Sequence, residues 1–257
     1  MNDREMTGKL PRGDGAFLAW RSVSPENPKA TGVVFLGGFN SDMTGTKAGA
    51  LADWALRKDR NFLRFDYYGH GKSFGEFHHG TISRWLEDSL AALDELTEGG
   101  QILVGSSMGG WLALLCALAR PERIKALVLI APAADFTEDL MWKGFSEEIR
   151  QQIMEEGAYF EPSQYGADYP ITRDLIEDGR RHLILRKPIP LDIPIRILQG
   201  MRDEDVPYAH AMRLLDALQS SDVTLTLVKA GDHRLSSSGD LLRLATEIEL
   251  LLDKLES

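Results

Sequence analysis

The sequence predicts an α/β fold: a mostly parallel, eight-stranded sheet with helices on both faces and a helical lid inserted after the sixth strand. Short apolar runs of strand length alternate with helix-length segments, and no tight hairpin joins them, which is typical of parallel sheets covered on both faces. The segment Gly105–Gly109 joins one such strand to one such helix through a turn that carries Ser107. The alternation stops between residues 135 and 190 and then resumes.

Taken in chain order, the apolar runs assign most of the sheet and its helices. Strands are predicted at Phe17–Val23, Gly32–Leu36, Phe62–Phe65, Gln101–Val104, Lys125–Ile130, Ile195–Leu198 and Val223–Val228. Helices are predicted at Thr46–Lys58, Thr81–Thr97, Met108–Arg120, Pro207–Leu218 and Asp240–Leu255. We therefore expect a core formed by residues 1–134 and 191–257, interrupted by the lid at residues 135–190.

Composition limits the classes of partner. The 257-residue chain has 43% hydrophobic residues and a net charge of −10, so we expect neither nucleic acid nor an anionic membrane as its main partner. The single cysteine, Cys116, excludes an internal disulfide framework and a cysteine-rich metal site. The polar N-terminus and the lack of a long apolar run predict no signal peptide, no membrane span and a cytoplasmic protein. The oligomeric state is left open.

The turn around Ser107 has the form G-x-S-x-G, the nucleophile elbow. Such a turn holds its serine in a strained conformation, and its backbone crowds the residues two positions away on either side. Glycines at 105 and 109 avoid that crowding because they lack a Cβ atom. Ser107 is therefore the candidate nucleophile.

A serine hydroxyl needs a base to remove its proton, and three histidines follow the predicted strand Lys125–Ile130. His182 falls in the predicted lid, and His210 falls in a predicted helix. His233 lies in a short loop directly after the last predicted strand, where a loop can place it above the elbow. We predict His233 as the base.

The acid that orients this base should follow the preceding strand, where three carboxylates compete. Asp203 lies three residues after Gly200 and fits the spacing G-x-x-D-x-x-V-P of this region. Asp205 is the second candidate and Glu204 the third. We predict that Asp203 holds the tautomer of the histidine and stabilises the imidazolium without taking its proton.

An oxyanion hole needs backbone donors that are fixed in place. The N–H of Met108, at the start of the helix, is one candidate. The N–H of Phe39 is the other, because Gly37-Gly38-Phe39 directly follows the predicted strand Gly32–Leu36. This chemistry needs no metal and no organic cofactor, so none is expected.

With these residues in view, the chain resembles the α/β-hydrolase superfamily. More narrowly, it resembles the mitochondrial palmitoyl-protein thioesterase and mycophenolic acid acyl-glucuronide esterase type of α/β-hydrolase-domain protein. The resemblance is carried by Asn40–Ala48, Arg64–Tyr67, Gln101–Trp111, Ala119–Glu122, Gly200–Pro207 and Asp232–Arg234. It implies the α/β-hydrolase fold, Ser107, Asp203 and His233 as nucleophile, acid and base, and hydrolysis of acyl thioesters or carboxylic esters. The substrate would be a small or acylated molecule.

Other functions on the same fold stay open from the sequence. A serine peptidase or haloperoxidase would use a similar centre, whereas a dehalogenase would have aspartate in place of Ser107. A non-catalytic binding protein is a further alternative, although such a protein is expected to have lost part of the triad. Aromatic side chains of the lid could line an acyl pocket or form the core of the lid; they are Trp142, Phe145, Tyr159, Phe160 and Tyr165.

Overall fold

The computed structural model describes residues 4–13, 15–26, 30–161 and 168–257. The first six strands are β1 Glu5–Pro11, β2 Phe17–Val23, β3 Thr31–Leu36, β4 Phe62–Phe65, β5 Gly100–Ser106 and β6 Ile124–Ile130. Two short strands come next in the chain and are described below. The last two strands are β9 Ile195–Gly200 and β10 Val223–Val228. The first six strands and the last two form one eight-stranded sheet in the order β1-β2-β4-β3-β5-β6-β9-β10. The pairs β1–β2 and β2–β4 are antiparallel, and every later pair is parallel. The predicted fold class is confirmed.

Helices cover both faces of this sheet. Helices α1 (Thr46–Lys58) and α7 (Ser238–Glu256) pack together on one face. The other face is covered by α2 (Ile82–Leu96), α3 (Met108–Ala119) and α6 (Tyr208–Ala217). Every residue of α3 from its start to position 117 is buried, which explains why its sequence is apolar around the whole circumference.

A hydrophobic cluster lies on each face of the sheet, and the central strands contribute side chains to both clusters. In β5, Ile102 and Val104 belong to the cluster under α1 and α7, whereas Leu103 belongs to the cluster under α2 and α3. Successive side chains of a strand point to opposite faces of the sheet. A strand buried on both faces therefore has a continuous apolar run, as Gln101–Val104 does.

Strand β1 was not among the strands predicted by sequence. It pairs along its full length with β2, from Glu5 opposite Val23 to Pro11 opposite Phe17. It lies at the edge of the sheet and buries only Leu10, so its sequence has no apolar run. Polar residues and proline are typical of an edge strand, which they protect from pairing with another chain.

The segment between β6 and β9 contains more than the helices predicted for it. A π-helical turn at Thr137–Trp142 leads into α4 (Glu147–Glu156), and α5 spans Arg173–Gly179. Between α4 and α5, β7 (Ala158–Glu161) and β8 (Tyr169–Thr172) form a two-stranded antiparallel sheet.

These two strands are built from aromatic and β-branched residues, Tyr159, Phe160, Tyr169 and Ile171. Such residues favour strands, whereas the sequence predicted a helical lid between residues 135 and 190 with no strand in it. The division into domains at 134/135 and 190/191 stays a prediction.

The inserted segment has a small core that includes a residue of the main domain. Ile153, Ile171 and Ile176 are buried together, and Phe39 from the loop after β3 packs against them. The Phe39 ring also lies edge-on to Tyr169 of β8, with ring centroids 5.6 Å apart. The insertion is thereby fixed above the C-terminal edge of the sheet. Among the described helices, none has the length and apolarity needed to cross a membrane.

Candidate active site

Ser107 lies at the apex of the turn between β5 and α3. Its backbone has φ 56° and ψ −119°, a conformation that a residue with a side chain rarely adopts. A Cβ atom on Gly105 would collide with the carbonyl of Gly109, and one on Gly109 would collide with the carbonyl of Leu36. The turn is held by hydrogen bonds on both sides, since Ser107 N donates to Ile130 O at 2.9 Å and Ala133 N donates to Ser107 O at 3.1 Å.

His233 comes from the loop after β10, and its ring reaches the elbow. Its Nε2 lies 3.1 Å from Ser107 Oγ, within hydrogen-bond distance. This loop packs closely against Gly200 at the end of β9. A Cβ atom on Gly200 would lie 2.5 Å from both Gly231 O and Asp232 O. The glycine that ends the strand thus permits the approach of the histidine loop.

Asp203 is buried and lies on the far side of the imidazole. Its Oδ2 accepts a hydrogen bond from His233 Nδ1 at 2.8 Å, so Nε2 is left as the nitrogen that can take a proton from Ser107. Its Oδ1 accepts from the N–H groups of Val206 at 2.8 Å and Asp205 at 3.0 Å. The structure therefore brings Ser107, His233 and Asp203 together in one hydrogen-bonded line.

The competing candidates lie elsewhere. Glu204 is exposed. Asp205 lies beside Asp203, and its backbone N–H donates a hydrogen bond to Asp203 Oδ1. His182 hydrogen-bonds Ser83 Oγ at 2.7 Å, and His210 Nε2 donates to Ala134 O at 2.7 Å. Both of these histidines have partners away from the elbow.

Gln199 is a residue of this site that sequence reasoning missed. It is fully buried in β9, and its Nε2 donates to Asp203 Oδ2 at 3.0 Å, Val206 O at 3.0 Å and Gly200 O at 3.1 Å. Gln199 therefore fixes both the catalytic-acid candidate and the turn that carries it. The signal in the sequence was a glutamine directly after Ile197-Leu198 in a largely buried strand.

The two predicted oxyanion donors flank Ser107. Met108 is the first residue of α3, where backbone N–H groups have no partner within the helix. Phe39 follows Gly38, where an added Cβ atom would lie 3.4 Å from Ser107 Cβ. The backbone before Phe39 thus runs directly beside the serine.

His70 supports the loop that carries Phe39. Its Nδ1–H donates to Tyr68 O at 3.1 Å, and its Nε2 accepts from the N–H of Asn40 at 3.2 Å. Asn40 has a positive φ of 53°. Burial lowers the pKa of His70 to about 4, so at neutral pH the ring is uncharged and can accept this hydrogen bond.

A cavity of about 620 Å³ opens over Ser107 beneath the inserted segment. Its lining is mainly apolar and includes Phe136, Leu140, Met141, Phe145, Ile149, Tyr159, Tyr169 and Ile171. Of the lid aromatics predicted for an acyl pocket, Phe145 and Tyr159 line this cavity. Trp142 instead lies under the guanidinium of Arg180, Phe160 is 60% exposed, and Tyr165 lies outside the described residues.

A second pocket, of about 220 Å³, meets the same serine and histidine. It shares only Phe39, Ser107 and His233 with the cavity above. Its other lining residues come from the start of α1 with the loop before it, from the ends of β3 and β5, and from the histidine loop; the polar ones are Ser41, Asp42, Thr46, Lys47, Ser106, Arg234 and Ser236.

Comparison with known proteins agrees with this architecture. A family profile described as "Serine aminopeptidase, S33" matches residues 26–177. This chain belongs to the serine aminopeptidase S33 family of α/β-hydrolases. It is therefore a hydrolase. A mitochondrial palmitoyl-protein thioesterase of Pongo abelii, ABHD10, is 38% identical over 250 residues, which cover 96% of this chain and 80% of the relative.

Two solved structures are similar over nearly the whole chain. A putative hydrolase from Agrobacterium vitis S4 superposes with a TM-score of 0.91 at 41% identity, covering 96% of this chain and 98% of the other. The α/β-hydrolase domain-containing protein 10 from mouse gives a TM-score of 0.88 at 37% identity, covering 97% and 99%. The resemblance predicted from the sequence is confirmed.

These comparisons contradict the prediction of a cytoplasmic protein, which is therefore wrong. The palmitoyl-protein thioesterases that match 96% of the chain are all named as mitochondrial proteins. The prediction rested on a polar N-terminus and the lack of a long apolar run, and such composition is a weak guide to location. The N-terminal residues that the structure describes instead form the edge strand β1.

Proposed function

We propose that this hydrolase cleaves acyl thioesters or carboxylic esters through Ser107, His233 and Asp203 by way of an acyl-enzyme. The observation that carries the proposal is the line of hydrogen bonds from Ser107 Oγ through the imidazole to the buried Asp203 carboxylate. That arrangement is what nucleophilic catalysis by serine requires.

In the proposed reaction, His233 Nε2 takes the proton of Ser107 as Oγ attacks the acyl carbonyl. Negative charge then develops on the carbonyl oxygen, and the N–H groups of Phe39 and Met108 stabilise it. The imidazolium, held by Asp203, gives its proton to the departing thiol or alcohol. His233 next removes a proton from water, which attacks the acyl-serine and releases the acid.

The apolar cavity supports an acyl substrate. Its volume of about 620 Å³ falls within the range of ordinary small-molecule sites, about 300–1,000 Å³. Its aliphatic and aromatic walls suit a hydrocarbon chain, which gains free energy by leaving water. The palmitoyl-protein thioesterase name of the relatives supports the thioester as the preferred bond.

The proposal is tested with acyl thioesters and p-nitrophenyl esters whose acyl chains run from about two to about sixteen carbons. We expect thioester turnover that rises with chain length. Ser107→Ala should lower kcat by about 10³-fold or more and should abolish labelling by a fluorophosphonate probe. Ser106→Ala, at the neighbouring serine, is the matched control and should be labelled normally. Labelling that persists in Ser107→Ala would contradict the assignment.

A peptidase is the second candidate, because two carboxylates also line the cavity. They belong to Glu161 and Asp205, and burial raises the pKa of Glu161. An acidic subsite is what an aminopeptidase needs to bind the substrate amine, as the family description implies. Aminoacyl p-nitroanilides test this alternative. Hydrolysis of these amides faster than of acyl thioesters would favour it over the proposed function.

A further inference from the structure

The smaller pocket beside Ser107 is lined mostly by polar and charged side chains, which suit an acyl chain less well than the walls of the larger cavity. It contacts the serine and the histidine, yet most of its remaining lining is hydroxyl groups and charges. An acyl-transfer substrate has two parts, one on each side of the carbonyl that is attacked. If the acyl chain occupies the larger cavity, the second space that reaches Ser107 is available to the leaving group.

Lys47 gives this pocket a positive charge. The side chain is half-buried, and its Nζ donates to Arg234 O at 2.5 Å and to Ser236 Oγ at 3.5 Å. These two contacts account for two of the three N–H donors of an ammonium group. Burial, together with the charge of Arg234, lowers the pKa of Lys47 to about 8, and the acids Asp232 and Asp240 oppose that shift. The ammonium is therefore only partly compensated by its surroundings.

The start of α1 adds to the positive character of the pocket. The residue before its first turn is Gly45, which provides no side-chain cap, and the first turn contains no acid. No acid of the cap or the first turn therefore neutralises the positive end of the helix dipole. Asp42 also lines the pocket, and its carboxylate accepts from Thr44 N at 2.6 Å and Thr44 Oγ1 at 2.5 Å.

We propose that this pocket binds the leaving group of the substrate, and that the leaving thiol or alcohol carries a carboxylate that pairs with Lys47. The inference rests on the proposed function. In the step concerned, the bond from the acyl carbon to sulfur or oxygen breaks, and His233 gives its proton to the departing atom. The carboxylate stays ionised throughout, so Lys47 contributes to binding and orientation and takes no part in proton transfer.

The test uses two thioesters with the same acyl chain, one of 3-mercaptopropionate and one of 3-mercaptopropionamide. The two leaving groups have nearly the same size and differ in charge. We expect kcat/KM to be about tenfold higher for the carboxylate, which is the size of effect that one partly buried ion pair gives. Lys47→Met should reduce this ratio to about one, and Lys47→Arg should keep most of it.

A structural role for Lys47 gives a different result. Its contacts hold the loop of His233, so a loop disturbed by Lys47→Met would lower turnover of both thioesters equally and keep their ratio. That outcome would overturn the inference, as would equal turnover of the two thioesters by the natural protein. Lys58→Met, at the other end of α1, is the matched control and should leave the ratio unchanged. Failure of the natural protein to hydrolyse either thioester would contradict the proposed function itself.

A second pair of substrates separates a small leaving group from an acylated peptide. S-acyl-cysteine peptides with Glu or Gln beside the cysteine present the same difference in charge on a larger leaving group. A Lys47-dependent preference for Glu would identify an acidic peptide as the source of the carboxylate. A preference limited to the small thioester would identify a small acid and would still support the pairing with Lys47.

Discussion

The two spaces that meet at Ser107 differ both in chemistry and in origin. The larger cavity is mainly apolar, and most of its walls come from the insertion between β6 and β9. The smaller pocket is lined mostly by polar and charged residues, and its walls come from the core loops around α1 and His233. An insertion is free to vary without disturbing the sheet, whereas the core loops also hold the proposed catalytic groups. We infer that acyl selectivity can change independently of the reaction centre, and that leaving-group selectivity is tied to it.

The largest effect should come from the carboxylate that orients His233, the imidazole that both spaces share. Asp203→Asn keeps the size of the side chain but lets its amide donate to His233, which favours the wrong tautomer of the ring. We expect kcat to fall by about 10³–10⁴-fold, equally for long and short acyl chains and for both leaving groups. Steady-state kinetics on the substrate panel measures this. Asp205→Asn is the control, and a loss as large in that variant would point to Asp205 as the acid.

Gln199 offers a smaller, indirect effect on the same centre. Gln199→Leu removes one hydrogen bond from Asp203 and the bonds to Gly200 O and Val206 O, which then lie buried without this donor. We expect about a ten- to hundredfold loss of kcat, with KM little changed, and a shifted pH–rate profile. Gln199→Met, of similar length, should behave like Leu if the hydrogen bonds matter. Unchanged pH dependence with lowered thermal stability would indicate a structural role alone.

Acyl selectivity should change without any change in leaving-group preference when the cavity is narrowed. Gly144 lines the cavity, and a Cβ placed there would meet nothing within 4 Å. A side chain can therefore start at this position without a clash at Cβ, and Gly144→Phe should reduce kcat/KM for long acyl chains by about three- to tenfold, leaving acetyl substrates unaffected. Gly49→Phe, at an equally open position on α1, is the control. Equal losses for all chain lengths would show that this cavity does not hold the acyl chain.

The smallest effect concerns pH and the polar pocket. Lys47 is charged below its pKa of about 8 and loses its proton as the pH rises through that value. The preference for a carboxylate leaving group should thus decline by a few-fold between about pH 7 and about pH 9. The charged groups around Lys47 are Arg234, Asp232 and Asp240, with Asp42 and His233 on the pocket wall.

Measuring the ratio of kcat/KM for the two thioesters across this range cancels changes that affect both substrates. In Lys47→Arg the guanidinium keeps its charge, so the ratio should stay constant to higher pH. A ratio that declines equally in this variant would show that another group controls the preference.

Much of the fold and the candidate site could be predicted because they leave local signals. The elbow glycines, the apolar runs of the central strands and the spacing from Gly200 to Asp203 are all readable along the chain. Strand β1 and the β7–β8 pair were missed because edge and surface strands have no two-sided apolar pattern. Gln199 was missed for a different reason, since a single buried glutamine has no meaning until its partners are known.

Local sequence was enough to establish the α/β class, the elbow at Ser107 and the short set of candidate acids and bases, because each depends on residues close together in the chain. Which of these groups meet depends on tertiary packing. Ser107 and His233 are separated by 126 positions, and their hydrogen bond depends on how β5 and β10 lie in one sheet. The cavity over Ser107 and the pocket with Lys47 arise in the same way, because packing brings together segments that lie far apart in the sequence.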